Sequence, residues 1–251
     1  MQIASSPPVL LINLLPSWVG LFLNSRMVRL VLFDIDGTLI HTGGAGVRAF
    51  GRAFAMEFGI PHGTERLRFA GRTDSGLVRE FLTSQGVPAT PENFRRFCDC
   101  YVHWLDHHLH ELAGGACPGV GEWLAALAAL PEPPLLGLLT GNIRLGAQIK
   151  LRHYGLWEPF RTGGFGDDHE DRNEIARIAR VRGSRSLGRP LHGEEILVIG
   201  DTPLDIACGR AIGARCLAVA TGGSKLDELQ AHRADWAIPD LTHLAPAEVC
   251  R

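Results

Sequence analysis

A chain of 251 residues, 45% of them hydrophobic, is long enough to bury a substantial core and suits one α/β domain with a modest insertion or two small domains. A formal net charge of −2 provides no basic field for nucleic acid or an anionic membrane, so any recognition of phosphate has to be local. The six cysteines include no CxxC pair and read as small buried residues in a reducing cytoplasm rather than a disulfide framework, and lysine is confined to Lys150 and Lys225.

Residues 9–23 are almost wholly apolar, yet the run is short for a membrane span, is interrupted by Pro16 and has no basic residue ahead of it as a secretory signal would. Residues 1–26 are therefore read as a non-essential extension, with a peripheral anchor as the alternative and translation starting at Met1 or Met27. Residues 29–33 form a natural first strand. Similar β-rich runs recur at 135–139, 195–199 and 215–220, each ending in a turn with Gly, Thr or Asp. Helical patterns follow at 144–153, 173–182 and 204–212, and this alternation predicts an α/β fold with a doubly wound, Rossmann-like parallel sheet. Between the first two strands lie only helical patterns, near 45–58, 74–84, 91–111 and 121–130. The expectation is a core built from residues 27–42 and 117–251 and an inserted all-helical cap over 43–116, with hinges at Gly43-Gly44 and at 114–119.

The segment Asp34-Ile35-Asp36-Gly37-Thr38 closes the first strand, and the strand period sends Asp34 and Asp36 to one side of the chain. Two carboxylates so close repel unless a cation lies between them or one takes a proton, which suits magnesium with one nucleophile and one acid/base. The bland alternative is a polar turn whose acids cap a helix. Three further segments at strand ends weigh against it: Leu139-Thr140-Gly141-Asn142, with a hydroxyl and a helix start suited to phosphate oxygens; Glu170-Asp171-Arg172-Asn173, with a cation; and Gly200-Asp201-Thr202-Pro203-Leu204-Asp205, with two more acids.

Together these four segments resemble the motifs of the haloacid dehalogenase superfamily, in order and over residues 28–239. The resemblance implies that Asp34 is the nucleophile and a magnesium ligand. Asp36 is then the general acid/base and offers its backbone carbonyl to the metal. Asp201 is implied as the remaining protein ligand, with Asp205 supporting it or holding the basic residue. Thr140, with the backbone of Gly141 and Asn142, is implied to bind the phosphoryl group. The family usually has Lys in its third motif, where this chain has Arg172; the alternative is a solvated first-turn arginine.

Asp36 argues against haloacid dehalogenation, which lacks that second aspartate. The absence of lysine from residues 42–118 argues against phosphonoacetaldehyde hydrolysis, which needs a cap lysine for a Schiff base. What remains is a phosphatase resembling phosphoglycolate phosphatase, or phosphoryl transfer on a sugar phosphate resembling β-phosphoglucomutase; a catalytically silent binding module is a third reading. Arg72, in the cap turn Gly71-Arg72-Thr73-Asp74, is a candidate partner for a substrate carboxylate or second phosphate, with a plain capped turn as the alternative. The expected partner is a small phosphorylated metabolite, not nucleic acid or a membrane, and the expected state a monomer or homodimer. Cys100, His103 and His107 lie within reach of one helical face and are read as solvated rather than zinc-binding. Gly163-Gly164-Phe165-Gly166 is read as a tight turn rather than a nucleotide loop.

Overall fold

The computed structural model describes residues 27–251, so the apolar segment 9–23 and the choice between Met1 and Met27 lie outside it. Eight strands and nine α-helices follow one another among the described residues. Six strands form a parallel sheet in the order β5 (Thr162–Gly164), β4 (Leu135–Leu139), β1 (Leu30–Phe33), β6 (Ile196–Gly200), β7 (Arg215–Val219) and β8 (Trp236–Ile238). β1 is wholly buried because apolar side chains leave it on both faces. Val31 and Phe33 meet Val120, Trp123 and Leu127 of α4 (Val120–Ala128) and Ala147 and Leu151 of α5 (Arg144–His153). Leu30 and Leu32 pack with Ile175, Ala176 and Ala179 of α6 (Arg172–Ser186) and with Cys208 of α7 (Pro203–Ala211). α8 (Leu226–Ala231) covers β7 and β8 through Leu229, and α9 (Pro246–Val249) closes the α4 face. The sheet is thus the doubly wound one expected.

The chain adds strands on one side of β1, through β4 and β5, and then returns to its other side with β6. That reversal opens a crevice at the carboxyl ends of β1 and β6, where open parallel sheets place their ligands.

Between β1 and β4 stand α1 (Ala45–Phe58), α2 (Asp74–Ser84) and α3 (Pro91–Glu111), with a separate apolar cluster of their own. Its centre is aromatic: the Phe54 and Phe81 rings lie 4.4 Å apart, Phe50 and Phe97 4.8 Å, and Phe97 stacks on Tyr101. Burying one such ring stabilises by about 1.5–3 kcal/mol, so this layer carries a real core despite its small size. A two-rung antiparallel ribbon, β2 (Ile40–His41) against β3 (Gly115–Ala116), joins it to the sheet. Both strands are too short to show any period in the sequence.

A second attachment lies at the start of α2. Thr73 caps the helix by accepting from the Gly76 amide and donates to the Glu170 carbonyl at 2.9 Å. The Asp74 amide donates to the Gly141 carbonyl at 2.8 Å, and the Asp74 carboxylate accepts from the Ile143 amide at 2.9 Å. Arg79 reaches Glu170 at 2.6 Å. Gly141 has no room for a side chain here, since a Cβ would come within 2.0 Å of the Arg72 carbonyl. Among the described residues no helix is long and apolar enough to cross a membrane.

Candidate active site

Four strand ends supply the site. Asp34 follows β1 directly, and its amide continues the ladder by donating to the Ile199 carbonyl at 2.9 Å, which leaves the residue 6% exposed. Gly37 then reverses the chain with φ +85°, and a Cβ there would lie 2.7 Å from Asp201 Oδ2. Glycine therefore lets the first turn close onto the acid after β6.

Asp201 is held by the Gly223 amide at 2.9 Å and by the Thr38 hydroxyl at 3.3 Å. Asp205, in the first turn of α7, accepts from the Thr202 amide at 3.0 Å and the Thr202 hydroxyl at 2.6 Å, while its other oxygen takes Arg172. The Arg172 guanidinium also reaches Asp34 Oδ1 at 3.5 Å. Arg172 opens α6, where the helix dipole disfavours a cation; two buried carboxylates offset that cost. It is buried and paired, so the reading of a solvated first-turn residue does not hold.

Carboxylate oxygens of Asp34, Asp201 and Asp205 lie within 4.8 Å of one another. Burial, then the charge of Asp205, pushes Asp34 well above the ordinary carboxylate range, with Arg172 pulling the other way. Burial and Asp205 likewise raise Asp201 to about 7. Burial alone would lower Arg172, but Asp205 and Asp34 outweigh it and hold the guanidinium charged. Buried acids that resist ionisation together, with hard oxygen donors and one arginine among them, fit a divalent cation such as magnesium.

A different set of side chains holds Asp36. After β4, the Thr140 hydroxyl accepts from the Asn142 amide at 3.2 Å and from the Asn142 side chain at 2.9 Å. Asn142 Nδ2 also donates to Asp36 Oδ2 at 2.8 Å. Lys150, from the inward face of α5, donates to Asp36 Oδ2 at 2.7 Å and to Asn142 Oδ1 at 2.6 Å. Sequence reasoning gave Lys150 no role. The signal that could have found it is its place beside Gly146, Ala147 and Leu151 on the apolar side of α5, an unusual position for one of two lysines.

Asp34, Asp36, Thr140, Asn142, Lys150, Arg172 and Asp201 line a cavity of about 450 Å³ beneath α1–α3, roofed by Val47, Phe50, Phe69 and Tyr101, while Asp205 pairs with Arg172 behind its wall. Arg72 lines it too but pairs with Glu80 of its own layer at 2.6 Å. Two motifs set aside in the sequence are absent from the cavity wall. The Gly166 amide, beyond β5, donates to the Asn142 carbonyl at 2.7 Å and props the loop after β4. On α3, it is His107, His108 and Glu111 that come together among the described residues, not Cys100, His103 and His107.

The profile of haloacid dehalogenase-like hydrolases matches residues 31–219, most of the chain. The chain belongs to this family and is an enzyme of its phosphatase class. Among curated proteins it is 27% identical to the phosphoglycolate phosphatase of Yersinia pseudotuberculosis over 225 residues, covering 88% of this chain and 94% of that one. It is also 27% identical to the phosphoglycolate phosphatase of Rhodospirillum rubrum, covering 79% and 82% respectively. Among solved structures, a hydrolase from Pseudomonas syringae superposes with a TM-score of 0.66 at 23% identity, covering 90% of this chain and all of that one. CbbY of Rhodobacter sphaeroides, solved with xylulose-1,5-bisphosphate, superposes with a TM-score of 0.71 at 20% identity and the same coverage.

Proposed function

We propose that this enzyme hydrolyses a small phosphate monoester, phosphoglycolate before other candidates, by way of a phosphorylated Asp34, with magnesium and in the cytoplasm, as a monomer or homodimer. The convergence of Asp34, Asp201 and Arg172 on one end of a roofed cavity, with Asp205 buried behind Arg172, carries the reading. The relatives named as phosphoglycolate phosphatases support the substrate, and the free cysteines agree with a reducing compartment.

Asp34, the backbone carbonyl of Asp36 and Asp201 would hold the metal, with Asp205 fixing Arg172 behind them. When bound, the ion supplies positive charge to the clustered carboxylates and to the transferring phosphoryl group. Thr140, the Gly141 and Asn142 amides and Arg172 surround the phosphoryl oxygens and stabilise the charge that develops on them. A carboxylate oxygen of Asp34 attacks phosphorus while the ester P–O bond breaks, and Asp36 gives its proton to the departing oxygen. Asp36, now a carboxylate, takes a proton from water as that water attacks the phosphorus. The bond to Asp34 then breaks, inorganic phosphate leaves, and Asp34 is restored.

The test is phosphate release from phosphoglycolate, sugar phosphates, nucleotides and an aryl phosphate, with magnesium, with chelator, and in Asp34→Asn. Magnesium-dependent release that vanishes in Asp34→Asn establishes the reading and ranks the substrates. Absence of release from every ester by the wild type overturns it in favour of phosphoryl transfer or silent binding.

A further inference from the structure

We infer that Lys150 is the positioning residue that aims the acid/base Asp36, an inference that rests on the proposed phosphatase reading. The Asp36 side chain is 43% exposed in the cavity, whereas the Lys150 side chain is 4% exposed. A carboxylate so open has many rotamers available, and something has to choose among them. Lys150 Nζ and Asn142 Nδ2 do so by converging on one oxygen, Oδ2, at 2.7 and 2.8 Å. Oδ1 is left without a protein donor among the described residues and is the oxygen free to exchange a proton with the leaving group.

Lys150 acts a second time through Asn142. By donating to Asn142 Oδ1 at 2.6 Å it sets which end of that amide faces Asp36 and Thr140. The three side chains form a closed triangle in which each touches the other two, and only Lys150 is both charged and buried. Glycine at position 46 of α1 leaves room above the ammonium, since a Cβ there would lie 3.4 Å from Nζ and 3.7 Å from the Tyr101 hydroxyl. A lysine rooted in the sheet layer thus ends beneath the helical layer, and the direction of Asp36 depends on both.

An acid/base matters most where the departing oxygen is strongly basic, which gives this role a signature that a loss of structure lacks. The experiment measures kcat/KM for phosphoglycolate, an uncharged alkyl phosphate and a nitrophenyl phosphate in the wild type, Lys150→Met and Lys150→Gln, with melting temperatures alongside. Expected is a loss of roughly tenfold to hundredfold on both alkyl esters in Lys150→Met, against a loss of about threefold or less on the aryl ester, which expels a weakly basic nitrophenolate that needs no proton. Lys150→Gln, which keeps a donor without the charge, falls between, and it carries the test if Lys150→Met fails to fold. Equal losses on all three esters would overturn the inference in favour of a structural role. A rise in KM confined to phosphoglycolate would overturn it in favour of direct contact with the substrate carboxylate. A wild type inactive on every ester instead removes the phosphatase reading itself, so the two failures are distinct.

Discussion

The two halves of the cavity are built in opposite ways. On the Asp34 side, acids from β1 and from the β6–α7 turn are buried, crowded within 4.8 Å of one another, and anchored by backbone amides and one arginine. On the Asp36 side the acid is open, and only side chains hold it: Asn142 and Lys150 beneath α1, next to the place where Asp74 crosses from the helical layer to the loop after β4. On the proposed mechanism, rigidity is concentrated where phosphorus is held, and adjustable contacts lie where a proton is passed and a substrate admitted.

The contrast can be broken most sharply at the buried end. Asp34→Asn should lower turnover by roughly 10³-fold or more, since no neighbouring carboxylate can reach the same line of attack; phosphate release measures it. Arg172→Met should cost about 10²–10³ in kcat, and about 3–5 kcal/mol of stability by leaving Asp34 and Asp205 buried without their partner, read by kinetics and by denaturant titration. Magnesium should raise the melting temperature of the wild type, with about 2.7 kcal/mol of stabilisation at a hundredfold excess over its Kd, and chelator should reverse it; in Asp201→Asn the rise should largely disappear.

At the open end the effects should be smaller and should depend on pH. Burial raises Asp74 to about 6, from the ordinary 3.8, with Lys150 and the Ile143 amide opposing. A carboxyl raised in the folded state binds its proton more tightly there, so its contribution to stability is complete below about 3.8 and is lost as pH rises through 6. The melting temperature of the wild type minus that of Asp74→Asn should therefore fall between pH 4.5 and 7.5, and a flat difference would show that Asp74 does not respond to its burial. Smallest of all, Arg72→Ala should raise KM a few-fold for a substrate with a second anion and leave kcat nearly unchanged, because a half-exposed arginine already paired with Glu80 contributes little.

The same contrast explains what was legible in the sequence. Asp34, Asp201 and Asp205 stand next to apolar strands whose ends mark themselves, so both the sheet and the acid cluster could be read from local pattern. The bounds of α1, α2, α3 and α5 also follow from their periodicity, sharpened in α2 and α3 by the Thr73 and Thr90 caps. Lys150 could not be placed, because its role depends on the rotation of α5 about its own axis. Nor could Asp74, whose partner Ile143 is 69 residues away and meets it only when the helical layer docks. β8 is a three-residue, half-buried edge strand, too short and too little buried to announce itself.

One modest contact has a practical reach. The Val28 amide donates to the Cys250 carbonyl at 3.0 Å, so the beginning and end of the described chain meet ahead of β1, at the amino end of the central strands and opposite the cavity. An affinity tag, a fluorescent fusion or a surface tether joined at Arg251 enters the molecule from behind. In a variant shortened to begin at Met27, joining that residue to Arg251 by a short linker and reopening the chain at an exposed turn would be a circular permutation that leaves the mouth of the cavity unobstructed.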